Sequence, residues 1–206
     1  MQDYLIKPVE AERFQKAVHQ FYGKTPLENV EYCKIINEKH FNRLSGLLES
    51  GKTFFGGKTD ARARKIEPTL LTEVTWESPV MQEEIFGPIL PVIKFTSFTE
   101  ICRRIQERPK PLACYLFTRS AQREQIVLQE VPFGGGCIND TIVHLTNPHM
   151  HFGGVGESGM GAYHGKTGFD TFSHRKSVLK KSNVIDVPFR YAPYRNRLSM
   201  LKKLMK

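Results

Sequence analysis

Residues 89–145 have the sequence ILPVIKFTSFTEICRRIQERPKPLACYLFTRSAQREQIVLQEVPFGGGCINDTIVHL, and this stretch decides the fold class. Apolar, partly β-branched segments predict buried strands at ILPVIKF, LACYLFT and GGCINDTIVHL. Between them, SFTEICRRIQER and SAQREQIVLQEV predict helices capped by Ser97 and Ser120. Strands that alternate with single helices are typical of right-handed crossovers in a parallel sheet. The stretch therefore predicts an α/β domain.

The predicted elements outside this stretch are less regular. Val9–Tyr22 and Ile36–Glu49 predict helices, because apolar residues recur on one face of each and a glycine follows. Lys65–Val74 predicts an extended segment that Pro68 confines to the edge of a sheet or to an irregular strand. Phe172–Leu179 predicts a further strand. The last twelve residues, RNRLSMLKKLMK, predict a short amphipathic helix.

The positive charge is concentrated at the carboxy-terminal end. The chain has 206 residues, 30 Lys and Arg, 21 Asp and Glu, and a net charge of +9. Residues 175–206 contain 10 of the basic residues and one of the acidic ones, which leaves 20 of each in residues 1–174. A nucleic-acid-binding domain carries basic residues across a folded face, so this distribution argues against one. It favours a role of the tail in contacting a partner or a membrane surface, or in solubility.

The cysteines and the amino-terminal residues indicate the compartment. Cys33, Cys102, Cys114 and Cys137 form no CxxC pair and no regular framework, which is typical of reduced thiols. The first twenty residues carry charges throughout and contain no apolar signal core. No apolar run approaches the roughly 18 residues that a membrane span needs. We therefore expect a cytoplasmic protein.

The glycines between Phe152 and Gly161 formally match a dinucleotide fingerprint, as Gly154-x-Gly156-x-x-Gly159. That motif requires a strand before it, a helix after it and an acidic residue about twenty positions later. The residues before it are NPHMHF and the later region is KSVLKK, so the context is wrong. A loop with positive φ angles or close backbone approaches is the better interpretation.

The residues near Cys137 predict no metal site. His144, His149 and His151 lie close together in sequence, but zinc requires three or four ligands at defined spacings. We interpret these histidines as loop or packing residues. Cys137 has no neighbour in sequence that would activate a thiol, so a small buried thiol is expected there.

Four segments together resemble the aldehyde dehydrogenase family. They are IINEKHF (35–41), PVMQEEIFGP (79–88), GGGCINDTIVH (134–144) and HFGGVGESGMGAYHGKTGFDTFSHRKSVL (151–179). The last segment has the pattern of the class 3 branch. Together they cover most of Phe21–Leu179, and a chance match at this density is very improbable. The resemblance implies the parallel-sheet catalytic domain of this family in residues 1–170, an oligomerisation strand in 171–182 and a basic tail in 183–206.

The resemblance also implies specific site residues. Glu84 would accept hydrogen bonds from the nicotinamide ribose hydroxyls of NAD or NADP, and Phe86 would pack near the nicotinamide ring. An apolar wall of the aldehyde channel would be formed by Ile142, Leu145, Thr146 and Phe152. Such a wall favours medium-chain or aromatic aldehydes. The family usually has proline before FGG where this chain has His151, and the loss of that rigid φ angle would loosen the substrate loop.

The reaction implied by the resemblance is the oxidation of an aldehyde to a carboxylic acid through a cysteine thioester. The nucleophilic cysteine, the catalytic glutamate and the dinucleotide-binding domain would lie before Met1. The chain is therefore expected to contain no catalytic residue and to be inactive alone.

Two other functions remain open. In one, the chain is a non-catalytic assembly module that binds a full-length relative through Ser173–Leu179 and the tail; the resemblance itself implies a homodimer formed through Ser173–Leu179 by edge pairing. In the other, the basic tail, residues 183–206, binds a membrane surface or nucleic acid in a salt-sensitive way, and the binding would be lost on deleting residues 195–206.

Overall fold

The computed structural model of the chain describes residues 4–6, 11–186, 191–192 and 198–204. The chain divides into two compact units, Met1–Phe172 and Ser173–Lys206. Within the described residues the helices are α1 (Ala11–Tyr22), α2 (Glu38–Leu47), α3 (Phe98–Gln106), α4 (Ala121–Glu130), α5 (Gly165–Thr171) and α6 (Leu198–Leu204). The strands are β1 (Tyr4–Ile6), β2 (Lys52–Phe55), β3 (Thr59–Asp60), β4 (Lys65–Ile66), β5 (Thr69–Thr72), β6 (Ile89–Pro91), β7 (Ala113–Leu116) and β8 (Gly135–Ile138). The predicted α/β class is confirmed.

The first sheet is parallel throughout and has the order β1-β7-β8. Helix α4 connects β7 to β8, which confirms the predicted crossover. It begins after Ser120, whose side chain accepts a hydrogen bond from the backbone N–H of Arg123 at 3.3 Å. The two strands approach so closely that a Cβ atom on Gly136 would lie 1.9 Å from the carbonyl oxygen of Cys114. Only glycine fits between these strands at that position.

Apolar side chains from α3, α4 and β7 form the core against this sheet. The fully or nearly buried members are Ile101, Cys102, Ile105, Cys114, Leu116, Val127 and Val131. Ser97 caps α3, and its hydroxyl accepts from the N–H of Glu100 at 3.2 Å, as predicted. Burial raises the pKa of the Cys102 thiol within this core, because the thiolate would lose its hydration.

The second sheet has the order β2-β5-β6, with β2 antiparallel and β6 parallel to β5. The prediction that the three apolar strands of residues 89–145 share one sheet is therefore wrong for the first of them. The partner of β6 is β5, which comes earlier in the chain. Pro68 directly precedes β5, and for this reason β5 takes the central position without losing a ladder hydrogen bond. Of the two predicted alternatives for Lys65–Val74, the edge position is wrong and the irregular strand is confirmed, because the segment is interrupted at Pro68 between β4 and β5.

Helix α2 packs a second core onto this sheet. Its inner face carries Phe41, Leu44 and Leu47, all buried. The sequence predicts Phe41, Leu44 and Leu48 on this face; the first two are confirmed, whereas Leu48 is only half-buried. The side chain of Asn37 caps the helix by accepting from the N–H of His40 at 2.9 Å. At the margin of this core, the hydroxyl of Tyr32 donates to the carbonyl oxygen of Ile66 at 2.6 Å. Burial raises the pKa of this hydroxyl well above its usual range.

The carboxy-terminal elements depart from the sequence predictions. The third predicted strand ends at Ile138, because Asn139 has a φ of +58° and turns the chain. Residues 173–180 lie in no helix or strand, whereas Phe172–Leu179 was predicted as a strand. A strand needs a partner for its backbone hydrogen bonds, and no described strand of the single chain pairs with this segment. The predicted terminal helix begins at Leu198, and residues 195–197 and 205–206 lie outside the described residues.

Candidate functional site

Residues 82–88 form a surface loop between a buried turn and strand β6. The turn is a single 3-10 turn, Pro79–Met81, and its Val80 side chain is fully buried. At the other end of the loop, Gly87 lies directly on Leu44 of α2. A Cβ atom on Gly87 would lie 2.7 Å from both methyl carbons of Leu44. The loop is therefore fixed to the second core at both ends.

Arg43 of α2 holds the middle of the loop. Its Nη1 donates to Oε1 of Glu83 at 2.8 Å and to the carbonyl oxygen of Glu84 at 3.3 Å. Its Nη2 donates to the carbonyl oxygen of Ile85 at 2.6 Å. One guanidinium group thus contacts three consecutive residues of the loop. Arg43 was not among the predicted site residues, because its contacts lie 40 to 42 positions away in sequence.

The predicted coenzyme residues, Glu84 and Phe86, both lie on the outside of this loop. The Glu84 side chain is exposed, and Phe86 is 84% exposed with a φ of +48°. A left-handed backbone is costly for a bulky aromatic residue, and such residues cluster at functional sites. An exposed carboxylate and an exposed ring two positions apart fit a ligand that offers paired hydroxyls and an aromatic face. Their roles in binding a coenzyme stay predictions.

Three of the predicted substrate-wall residues lie in one short turn after β8. Ile142 has a φ of +63° and is 58% exposed, Leu145 is half-buried and Thr146 is exposed. The Thr146 hydroxyl donates to the carbonyl oxygen of Val143 at 2.8 Å, so it stabilises the turn. The structure brings these residues together, and their contact with an aldehyde stays a prediction.

Phe152, the fourth predicted wall residue, packs in a group of aromatic rings. It is half-buried, and its ring centroid lies 5.8 Å from that of Tyr163 and 6.0 Å from that of His164. Paired backbone hydrogen bonds of 2.9 Å also join Phe152 and Tyr163. These bonds fasten the loop directly after His151, where the resemblance led us to expect a looser backbone.

His144 connects the turn to the first sheet. It is 6% exposed, and its ring packs against Tyr115 and Phe152 at centroid distances of 5.8 and 6.1 Å. The Sγ atom of Cys137 lies 3.5 Å from its Nδ1 atom. Cys137 is half-buried rather than fully buried, and its thiol contacts an imidazole that sequence reasoning did not assign to it. Gly135 makes room for the ring, since a Cβ there would lie 3.2 Å from its Cδ2 atom.

The glycine-rich loop is built from close backbone approaches. A Cβ atom on Gly153 would lie 2.2 Å from the carbonyl oxygen of Gly161, and one on Gly154 would lie 2.1 Å from that of Ser158. Gly156–Ser158 forms a 3-10 turn with no strand before it and no α-helix directly after it. These features confirm the loop interpretation and exclude the dinucleotide fingerprint.

Metal-ligating side chains do not converge in the part of the chain that the structure describes. Among these residues, no group of three or more His, Cys, Asp or Glu side chains is placed to hold a metal ion. His149 and His151 are exposed, whereas His144 is buried. No helix of the described ranges is both long and apolar enough to cross a bilayer.

Comparison with known proteins adds independent information on this arrangement. The profile of the Aldehyde dehydrogenase family matches residues 6–178. The chain belongs to the aldehyde dehydrogenase family. The predicted family resemblance is thereby confirmed.

Relatives within the aldehyde dehydrogenase family support the class 3-type assignment. Aldehyde dehydrogenase family 3 member H1 of Arabidopsis thaliana is 45% identical over 208 residues, covering 98% of this chain and 43% of the relative. The dimeric, NADP-preferring aldehyde dehydrogenase of Rattus norvegicus is 47% identical over 171 residues, covering 83% and 38%. The structure of the substrate-bound state of Staphylococcus aureus AldH is similar with a TM-score of 0.86 and 47% identity, covering 93% of this chain and 42% of that one. This chain spans less than half the length of each of these aldehyde dehydrogenases.

Proposed function

We propose that this chain provides the carboxy-terminal portion of an NAD(P)-dependent aldehyde dehydrogenase that oxidises aldehydes to carboxylic acids, with residues 1–170 as part of its catalytic domain. The observation that carries this proposal is the outward-facing loop with Glu84 and Phe86, anchored on α2 by Arg43. The nucleophilic cysteine and the activating glutamate would come from the part of the relatives that this chain does not span.

Two residues of the loop would hold the coenzyme. The exposed Glu84 carboxylate offers acceptor oxygens for both ribose hydroxyls, and the exposed Phe86 ring offers an apolar face to the nicotinamide. When bound, the coenzyme supplies the acceptor for the hydride removed from the substrate. Both NAD and NADP are candidates, and the rat relative described as NADP-preferring supports NADP.

The turn after β8 would line the aldehyde channel. Ile142 and Leu145 present apolar surface, and the ring of Phe152 packs against His144 of the same turn at a centroid distance of 6.1 Å. A mostly apolar wall gains affinity by burying hydrocarbon from water. Medium-chain and aromatic aldehydes are therefore the proposed substrate class.

The test is a chimera in which this chain, from Ile6 onward, follows the preceding part of the S. aureus AldH. We expect the chimera to oxidise hexanal and benzaldehyde with formation of reduced coenzyme, and we expect this chain alone to oxidise neither. A folded chimera that oxidises no aldehyde and binds no NAD or NADP would overturn the proposal.

The two adjacent glutamates provide a matched pair of variants. Glu84→Gln is expected to raise the KM for the coenzyme by about tenfold or more, because a neutral amide binds ribose hydroxyls more weakly than a carboxylate. Glu83→Gln removes the same charge one residue earlier and is expected to change that KM by less than about threefold. Equal effects of the two changes would contradict the assignment of Glu84.

A homodimer through Ser173–Leu179 is a further part of the proposal. Val178 and Leu179 are 75% and 92% exposed, and exposed apolar side chains on a segment outside the described helices and strands suit addition to the edge of a partner's sheet. Val178→Lys is expected to shift the chain from dimer to monomer in light scattering after size-exclusion chromatography. Val184→Lys is the control, since Val184 is 93% exposed but lies outside the segment.

The basic tail supports membrane-surface contact as a second candidate function. Residues 175–206 carry 10 basic residues and one acidic residue, and α6 exposes Leu198 and Met200 beside its lysines. Binding to vesicles with anionic lipid would then decrease with salt and would be lost on deleting residues 195–206.

We further propose a cytoplasmic location, which the absence of disulfides among all four cysteines supports and which cell fractionation would test.

A further inference from the structure

Arg43 lies between the helix that forms the second core and the loop that carries the proposed coenzyme residues. Its side chain is 25% exposed, and it projects from α2 toward residues 83–85. We infer that Arg43 is a positioning residue that holds this loop in the shape required to bind the coenzyme. This inference rests on the proposed function, which supplies the ligand.

Arg43 contacts the two adjacent glutamates, Glu83 and Glu84, through different atoms. Nη1 pairs with the carboxylate of Glu83 and also donates to the backbone carbonyl oxygen of Glu84. The Glu83 side chain, which is 52% exposed, is held against Arg43 of α2, and the Glu84 side chain is also exposed. Arg43 therefore acts on Glu84 through the loop backbone, and the Glu84 carboxylate stays exposed to solvent.

The backbone contacts explain why the residue is arginine. The guanidinium group carries five N–H donors in a rigid plane, so its two terminal nitrogens can contact adjacent carbonyl oxygens at the same time as a carboxylate. Here the second nitrogen lies 2.6 Å from the carbonyl oxygen of Ile85, the residue before Phe86. That bond fixes the backbone just where it enters the left-handed conformation of Phe86. A lysine ammonium is a point charge on a flexible stem and cannot reproduce this set.

The first measurement uses the chain itself and a protease that cleaves after glutamate. Arg43→Met is expected to accelerate cleavage after Glu83 and Glu84 by about tenfold or more, because the loop loses its charge-assisted hydrogen bonds. Cleavage after Glu130, at the end of α4, serves as an internal reference for unfolding of the whole chain. Arg103→Met is the matched control, since Arg103 pairs with Glu107 on the exposed side of α3. No acceleration in Arg43→Met, or equal acceleration after Glu130, would overturn the inference.

The second measurement separates positioning from general stability in the chimera described above. Arg43→Met is expected to raise the coenzyme KM by about tenfold while the aldehyde KM changes by less than about twofold, and Arg43→Lys is expected to recover part of the loss. A purely structural role would lower the amount of active enzyme and leave both KM values unchanged.

The two measurements distinguish the possible failures. If the coenzyme KM of Arg43→Met equals that of the unmodified chimera, the positioning role is overturned although the proposed function stands. If the folded, unmodified chimera neither binds coenzyme nor oxidises aldehyde, the proposed function fails, and the inference fails with it. The protease result then still reports whether Arg43 holds the loop.

Discussion

Replacing Gly87 by alanine places a methyl carbon 2.7 Å from both Cδ atoms of Leu44. Carbon atoms pack best at about 3.5–4.0 Å, so the two residues would have to separate by roughly 1 Å. Leu44 has 0% exposure, and its movement therefore displaces other core side chains. Gly87 is not among the glycines with positive φ, so alanine meets no backbone penalty there. The cost is steric.

The expected loss in the free energy of unfolding follows from these terms. Overpacking a buried site lowers the free energy of unfolding by about 1–3 kcal/mol. Replacing glycine by alanine also raises it by about 0.4–1 kcal/mol, because alanine lowers the conformational entropy of the unfolded chain. We expect a net loss of about 1–2 kcal/mol for Gly87→Ala. Gly46→Ala is the matched control, because no atom lies within 4 Å of its Cβ position on α2. That change is expected to stabilise the chain by about 0.5–1 kcal/mol.

The assay is urea unfolding followed by the fluorescence of Trp76, the only tryptophan, which packs against both cores. Leu44→Ala alone is expected to cost about 2–5 kcal/mol, because it empties a fully buried site. In the double variant the added methyl group enters the space left by Leu44, so the combined loss should be smaller than the two single losses added together. If the two losses in the free energy of unfolding were strictly additive, or if Gly87→Ala caused no loss, the loop would not pack on Leu44 as described.

Other positions give further expectations. Gly136→Ala forces a Cβ to within 1.9 Å of the Cys114 carbonyl oxygen, and we expect it to lower the yield of soluble protein sharply; a normal yield with an unchanged melting temperature would refute this. Tyr32→Phe is expected to cost about 1–2 kcal/mol in urea unfolding, because it removes a buried hydrogen bond. The raised pKa of Tyr32 means that its contribution is fully present below about pH 10 and is lost as the pH rises further, so the variant should show a weaker alkaline loss of stability. Under native conditions iodoacetamide should modify the exposed Cys33 and spare Cys102, whose burial raises its pKa; mass spectrometry of the labelled peptides would detect the reverse order.

Local signals in the sequence predicted β7, β8 and the helices α3 and α4, but not β1. The hydroxyls of Ser97 and Ser120 accept hydrogen bonds from the backbone N–H groups three residues later, which confirms the two predicted helix caps. These features depend on residues within one turn of each other, so they are visible in the sequence. The same is true of the buried face of α2.

Pairing between distant segments was less predictable. The strand ILPVIKF pairs with β5, which lies about twenty residues earlier, and nothing local to either strand specifies that choice. Pro68 predicts an edge strand or an irregular strand, and its position one residue before β5 interrupts the segment without removing β5 from the centre of the sheet. Arg43 was missed for the same reason, since its role depends on contacts with residues 83–85. Glu84 and Phe86 were found only through the family resemblance, because an exposed carboxylate in a loop has no pattern of its own.

The backbone of Phe86 carries one more implication. Its left-handed conformation costs about 1–3 kcal/mol, and this cost falls on the folding of the chain rather than on any later docking event. Glycine at position 86 would relieve the strain, and the free chain should then melt at a higher temperature. The same replacement would delete an aromatic surface worth roughly 3–5 kcal/mol when covered. Phe86→Gly should therefore raise the melting temperature of the isolated chain and lower its affinity for any ligand or protein segment that covers position 86.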